Sequence, residues 1–243
     1  AARFESDLDD ALEEQALELR PDRIALGDNH EVLQHPSWST SGSLLIYQVD
    51  DVDRASGLRL VRWDGNDSRF LFACSCTSAH WINQSTLVYT KLSEGKDGVL
   101  TSDLFTYNIF GTSGEQVTFD EHVRSVSPLG LGSSRVLLLR DHKGGASDLL
   151  SYDTITESRE ILARFGRSEQ PLSIAASRDG SRIAVSHYDG EHGIHLKVLD
   201  DFGDVIGHYS IPTAKMLRPQ FTFDGQYILF VSNLKARYEV YAL

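Results

Sequence analysis

Pro219-Gln220-Phe221-Thr222-Phe223-Asp224-Gly225-Gln226-Tyr227-Ile228-Leu229-Phe230-Val231-Ser232 reads as a strand, a tight turn at Asp224-Gly225, and a second, apolar strand. The same string stands earlier as Ala175-Ala176-Ser177-Arg178-Asp179-Gly180-Ser181-Arg182-Ile183-Ala184-Val185-Ser186, and near the start as Pro36-Ser37-Trp38-Ser39-Thr40-Ser41-Gly42-Ser43-Leu44-Leu45-Ile46-Tyr47. A second copy, Trp81-Ile82-Asn83-Gln84-Ser85-Thr86-Leu87-Val88-Tyr89, is one residue shorter at the turn. A third runs through Val126-Ser127-Pro128 and, after a Gly-rich insertion, Val136-Leu137-Leu138-Leu139. Taking Trp38, Trp81, Val126, Ala176 and Phe221 as equivalent, the intervals are 43, 45, 50 and 45 residues. That period belongs to four-stranded units set in a ring.

A polar hairpin and a third strand follow each copy, at Leu58–Arg62, Asp103–Tyr107, Asp148–Tyr152, Ile194–Leu199 and Tyr238–Tyr241. A looser fourth strand follows, as at Arg69–Ala73 and Val205–Tyr209. Four short antiparallel strands per repeat describe one propeller blade, and blades bury their faces only against each other. The expected fold is therefore all-β, a propeller of five four-stranded blades at about 35–73, 79–118, 124–163, 171–210 and 217–243. Trp38, Trp81 and Phe221 are expected to wedge between neighbouring blades as core.

Phe221 to Phe230 followed by Tyr238-Glu239-Val240-Tyr241 resembles the repeat of TolB-type, WD-like β-propellers: an aromatic, Ser-Pro-Asp-Gly, an apolar strand and an Asp-Ile-Tyr-like strand. The likeness runs from about Arg23 to Leu243 and is strongest in the first, fourth and fifth repeats; Ser41 replaces the Asp in the first. The resemblance implies a fold that serves binding scaffolds, peptidase gating domains and sugar-acting enzymes alike. It also implies a periplasmic or otherwise extracytoplasmic setting.

Residues 4–20 differ from the rest. Phe4, Leu8, Leu12, Ala16 and Leu19 recur at helical spacing opposite an acidic face, Ser6 is placed to cap, and Pro21 stops the run. Residues 1–22 are thus expected to form an acidic amphipathic helix. Arg23-Ile24-Ala25-Leu26 then reads as a strand that completes the fifth blade and closes the ring, since the chain ends at Leu243 one strand short. The chain opens Ala1-Ala2 without an initiating Met, which fits removal of a signal peptide or a cut from a longer chain.

A net charge of −12 argues against a nucleic-acid partner, and no apolar run reaches membrane-spanning length. Cys74 and Cys76, the only cysteines, are expected to be ordinary half-buried thiols, because i and i+2 on a strand are badly placed to bond. No Gly-x-Ser-x-Gly elbow, P-loop or dinucleotide fingerprint occurs.

Of nine histidines, eight fall in or beside the loops joining strands two and three or leading into the next blade: His30, His35, His80, His122, His142, His187, His192 and His195. Only His208 lies in an outer strand. Just before each inner strand come His35, His80, Arg124 with His122, Gln170 and Arg218, a candidate channel-mouth rim that would receive a carboxylate or an acidic peptide tail. His187, His192 and His195, with Asp189 and Glu191, form the densest set of potential metal ligands, although a polar turn with scattered imidazoles is the plainer reading. Asp50-Asp51-Val52-Asp53 is a possible but unspecific calcium loop.

The leading expectation is a non-enzymatic scaffold for a protein or peptide segment, without cofactor. The alternatives are a metal-assisted lyase or hydrolase acting on an acidic sugar with one divalent ion, and a sensor or gating propeller of a larger protein. Oligogalacturonate lyases share the propeller resemblance, and Gln34-His35-Pro36 carries a faint likeness to their motif.

Overall fold

The computed structural model describes residues 31–51, 56–95, 97–191 and 193–243. They form nineteen strands in five antiparallel sheets. The first holds β1 (Glu31–Trp38), β2 (Leu44–Asp51), β3 (Gly57–Arg62) and β4 (Arg69–Ala73); the second β5 (Cys76–Trp81), β6 (Thr86–Glu94), β7 (Leu100–Asn108) and β8 (Gly114–Gln116). The third holds β9 (Val123–Pro128), β10 (Arg135–Asp141), β11 (Ser147–Asp153) and β12 (Arg159–Phe165); the fourth β13 (Glu169–Ala176), β14 (Arg182–Asp189), β15 (Gly193–Asp200) and β16 (Val205–Tyr209). The fifth has three, β17 (Leu217–Phe221), β18 (Ile228–Ser232) and β19 (Glu239–Ala242). This is a five-bladed propeller, and no helix occurs among the described residues. The expected helix over 1–22, the closing strand over 23–27, His30 and His192 lie outside those residues.

Turn chemistry explains the meander. Gly42, Gly180 and Gly225 sit at φ of 70°, 77° and 69°, the left-handed region that each turn between strands one and two requires. Beside them Asp179 Oδ1 accepts from Ser177 Oγ (2.6 Å) and the Ser181 amide, and Asp224 Oδ1 from Thr222 Oγ1 (2.6 Å) and the Gln226 amide. These hydrogen bonds, led by the Ser177 hydroxyl, hold Asp179 down at about 2. In the first blade Ser41, bonded to Ser43 (2.7 Å), takes the carboxylate's place.

The core lies between blades. Leu139, Leu149, Leu162 and Phe165 of the third blade pack on Ile174, Ile183, Val185 and Leu199 of the fourth, all buried. Burying one such side chain contributes about 2 kcal/mol. Polar ties cross other seams: Trp81 Nε1 of the second blade donates to the Ser37 carbonyl of the first (3.0 Å), and Ser186 Oγ of the fourth to the Met216 carbonyl ahead of the fifth (2.6 Å).

Each inner strand carries one extra residue against its partner, at Gln34/Ser37, Thr77/His80, Ser125/Val123, Pro171/Ser173 and Leu217/Gln220. These are β-bulges at matched positions in all five blades. In three of them a residue other than glycine takes a left-handed conformation: His35, Ser78 and Arg218, each at φ 51°. Such conformations cost of order 1–3 kcal/mol apiece and concentrate where a side chain must be re-aimed.

Two expectations are corrected. Trp81 is buried, but Trp38 is 54% exposed and Phe221 is half-buried, because the inner strands end at an open mouth where no neighbouring blade covers Trp38. Cys74 and Cys76 form a disulfide (Cα–Cα 5.1 Å). Strand β4 stops at Ala73 and β5 begins at Cys76, so the two cysteines bracket the crossover between blades instead of lying at i and i+2 of one strand.

Candidate functional site

The two faces of the ring differ. On the face reached by strand-one/strand-two turns, the five inner strands finish around an opening of about 260 Å³. Its lining comes from every blade: Trp38, Trp81, Leu131, Arg178 and Phe223 among others, with His80 and Phe221 beside them. Phe223 is 75% exposed, and the Arg178 guanidinium lies 3.5 Å from its ring centroid. The Leu131 amide donates to the Arg178 carbonyl (2.8 Å), which fixes the third blade's turn against the fourth.

Of the six rim residues expected from sequence, three act on one another. His35 is half-buried on the first blade's bulge, and its pKa is lowered by burial and then by the Arg218 cation, with Asp50 opposing. His80 is pushed down to about 4, by burial first and by His35 second. It keeps partial access to solvent although protein surrounds it, as a side chain on the channel wall would. Arg218 is exposed, and among the described residues it has no carboxylate partner. Asp50 is held by Gln34 (2.9 Å) and Gln48 (3.3 Å).

The other three stand apart. Arg124 bridges Asp141 (2.8 Å) and the Pro171 carbonyl, so it ties loop backbone between blades. Gln170 is exposed in the first ladder of the fourth blade, opposite Tyr188. His122 lines a separate cleft of about 530 Å³ between the second and third blades with Asp97, Asp120, Asp141, His142 and Lys143. Several charges there are already matched: Arg140 pairs with Glu121 (2.8 Å) and Asp148 (2.9 Å), and His142 with Asp148 (2.7 Å). That cleft therefore reads as a structural network.

Of the expected cluster of His187, His192 and His195, the described residues include His187 and His195. His187 and His195 face each other across the β14–β15 ladder and are fully buried, because the strands run on to Asp189 and Gly193 before turning. Burial, then His195, lowers His187 to about 3; burial likewise lowers His195. His208, which sequence reasoning set aside, joins them: it pairs with Lys197 on β15, two residues from His195, on the same face. Period-two alternation could have revealed that meeting.

No family model matches this chain, and no curated relative matches it. Among solved structures, TolB from Acinetobacter baumannii superposes with a TM-score of 0.73 at 14% identity, over 88% of this chain and 52% of that one. The β-propeller domain of Cps50 (Swd1) from Myceliophthora thermophila gives 0.60 at 12% identity, over 84% and 64%. A puromycin-hydrolysing peptidase of Mycobacterium tuberculosis gives 0.56 at 18%, over 85% and 35%. The chain thus spans about half the length of the TolB structure it matches. At these identities the likeness is one of fold: the chain is a five-bladed β-propeller similar in fold to TolB.

Proposed function

We propose that the chain is a non-enzymatic scaffold that receives a protein or peptide segment on the propeller axis. The observation that carries this reading is the axial opening, to which all five blades contribute and where Trp38 and Phe223 remain exposed at 54% and 75%. Aromatic side chains in a concave, polar-rimmed setting give contact area at low entropic cost and anchor interfaces. Further along the inner strands the exposed Arg218 cation, unmatched by a carboxylate among the described residues, favours an anionic group such as a carboxylate, while His35 and His80, kept neutral by their lowered pKa values, offer N–H donors and no charge. The preferred guest is then a segment carrying an apolar side chain for the mouth and a carboxylate for Arg218. The Cys74–Cys76 disulfide favours an oxidising, extracytoplasmic setting.

Selection of peptides from a displayed random library against the immobilised chain tests the proposal. Selected peptides should lose at least tenfold in affinity to Trp38→Ala and to Arg218→Ala, with the melting temperature unchanged. Undiminished binding to both variants, and to Phe223→Ala, would remove the axis as the docking site.

A further inference from the structure

The protein holds an internal control for its fourth blade. The third-strand residue five places before the turn is Asp103 in the second blade, Asp148 in the third and His195 in the fourth. The second-strand residue opposite is Lys91, Arg140 and His187 respectively. In the second and third blades this buried position is a carboxylate fully supplied with donors. Asp103 accepts from Ser93, Thr101 and Thr118 hydroxyls (3.0–3.1 Å) and the Asp120 and Glu121 amides. Asp148 accepts from Arg140 (2.9 Å) and meets His142 (2.7 Å). The fourth blade replaces carboxylate and cation with two imidazoles, 3.9 Å between ring centroids.

Neither ring nitrogen of His187 has a hydrogen-bond partner among the described residues, although the side chain is fully buried. An unsatisfied buried polar group costs about 1–3 kcal/mol, and a ring with two calls for an explanation. His208 supplies a third imidazole. Its ring centroid is 4.5 Å from that of His195, and one nitrogen from each of the three rings lies within 4.8 Å of the others. Asp189 adds a carboxylate 3.4 Å from His195 Nε2.

We propose that His187, His195 and His208 bind a first-row divalent metal ion, zinc being the best fit, as a site built into the third-to-fourth blade seam. Three imidazoles suit zinc, copper or nickel far better than calcium or magnesium. Ligand nitrogens sit at about 2.1 Å from zinc, so the set must contract by a few tenths of an ångström to about an ångström. His208 is exposed on an outer strand and can make that movement, while the two buried rings are already fixed by packing. Asp189 serves as the carboxylate that orients His195 and offsets the ion's charge. The site is independent of the axial docking reading, since none of these residues lines the opening.

The test uses the untagged chain, stripped with a chelator and titrated with Zn²⁺ against a chromogenic competitor. One equivalent is expected to bind and to raise the melting temperature, and Co²⁺ should give the visible spectrum of a nitrogen-ligated ion. His208→Ala, at an exposed position and so without effect on folding, should weaken binding at least tenfold, whereas His142→Ala should leave it unchanged. The proposal fails if no stoichiometric ion binds, or if His208→Ala binds zinc as tightly as the parent.

Discussion

Acidification should destabilise the propeller through His80, and the size of the loss follows from its setting. Burial and the neighbouring His35 hold the folded-state pKa at about 4 against the ordinary 6.5. The unfolded chain therefore binds more protons between these values, so stability is intact above about pH 6.5 and falls as pH drops toward about 4. The full difference is worth roughly 3 kcal/mol. Because His80 retains some contact with channel water, about 2 kcal/mol is the expected loss between about pH 7.5 and pH 4.5. Asp179, held at about 2, gives way only below the ordinary 3.8 and does not intrude. The assay is urea denaturation of parent and His80→Gln at both pH values. The glutamine variant should lose about 2 kcal/mol less than the parent on acidification, both proteins sharing a residual slope from His35, His187 and His195, whose pKa values burial also lowers. Equal losses in both proteins, within about 0.5 kcal/mol, would refute the assignment of a buried neutral imidazole at this position.

Equivalent tryptophans should behave differently: Trp81→Ala should cost about 3–5 kcal/mol by denaturation, and Trp38→Ala should stay within about 0.5 kcal/mol. Asp103→Ala strands the Thr118 hydroxyl and the Asp120 and Glu121 amides and should cost about 2–4 kcal/mol; a loss below about 1 kcal/mol in the same assay would contradict the network's role. Gly203 stands at φ 92° with the Leu162 carbonyl where a Cβ would go, so Gly203→Ala should lower stability by at least about 2 kcal/mol and loosen the third-to-fourth blade seam, read as faster amide exchange in β12.

The repeat was legible because turns and strands are local. Asp179-Gly180 and Asp224-Gly225 announce their own conformation, and the outer strands Arg69–Ala73 and Val205–Tyr209 fall where alternation put them. Less legible was anything that depends on which blade covers which residue. Trp38 and Trp81 are equivalent by period yet differ in burial, because the mouth leaves one uncovered. His208 was separated from His187 and His195 by its strand, although the β15–β16 register brings it to their face. Arg124 looked like a free cation in sequence, and only the tertiary approach of Asp141 and Pro171 shows it committed.

The extra residue in every inner strand has a consequence for anything that enters the hole. Five lone backbone edges ring the axis, and an unbroken one would invite an extended guest to zip onto it as a sixth partner. The kinks at His35, Ser78 and Arg218 spoil that template by turning amides and carbonyls out of line. A visitor to the centre must accordingly be recognised by its side chains, and the wheel is kept from adding strands inward.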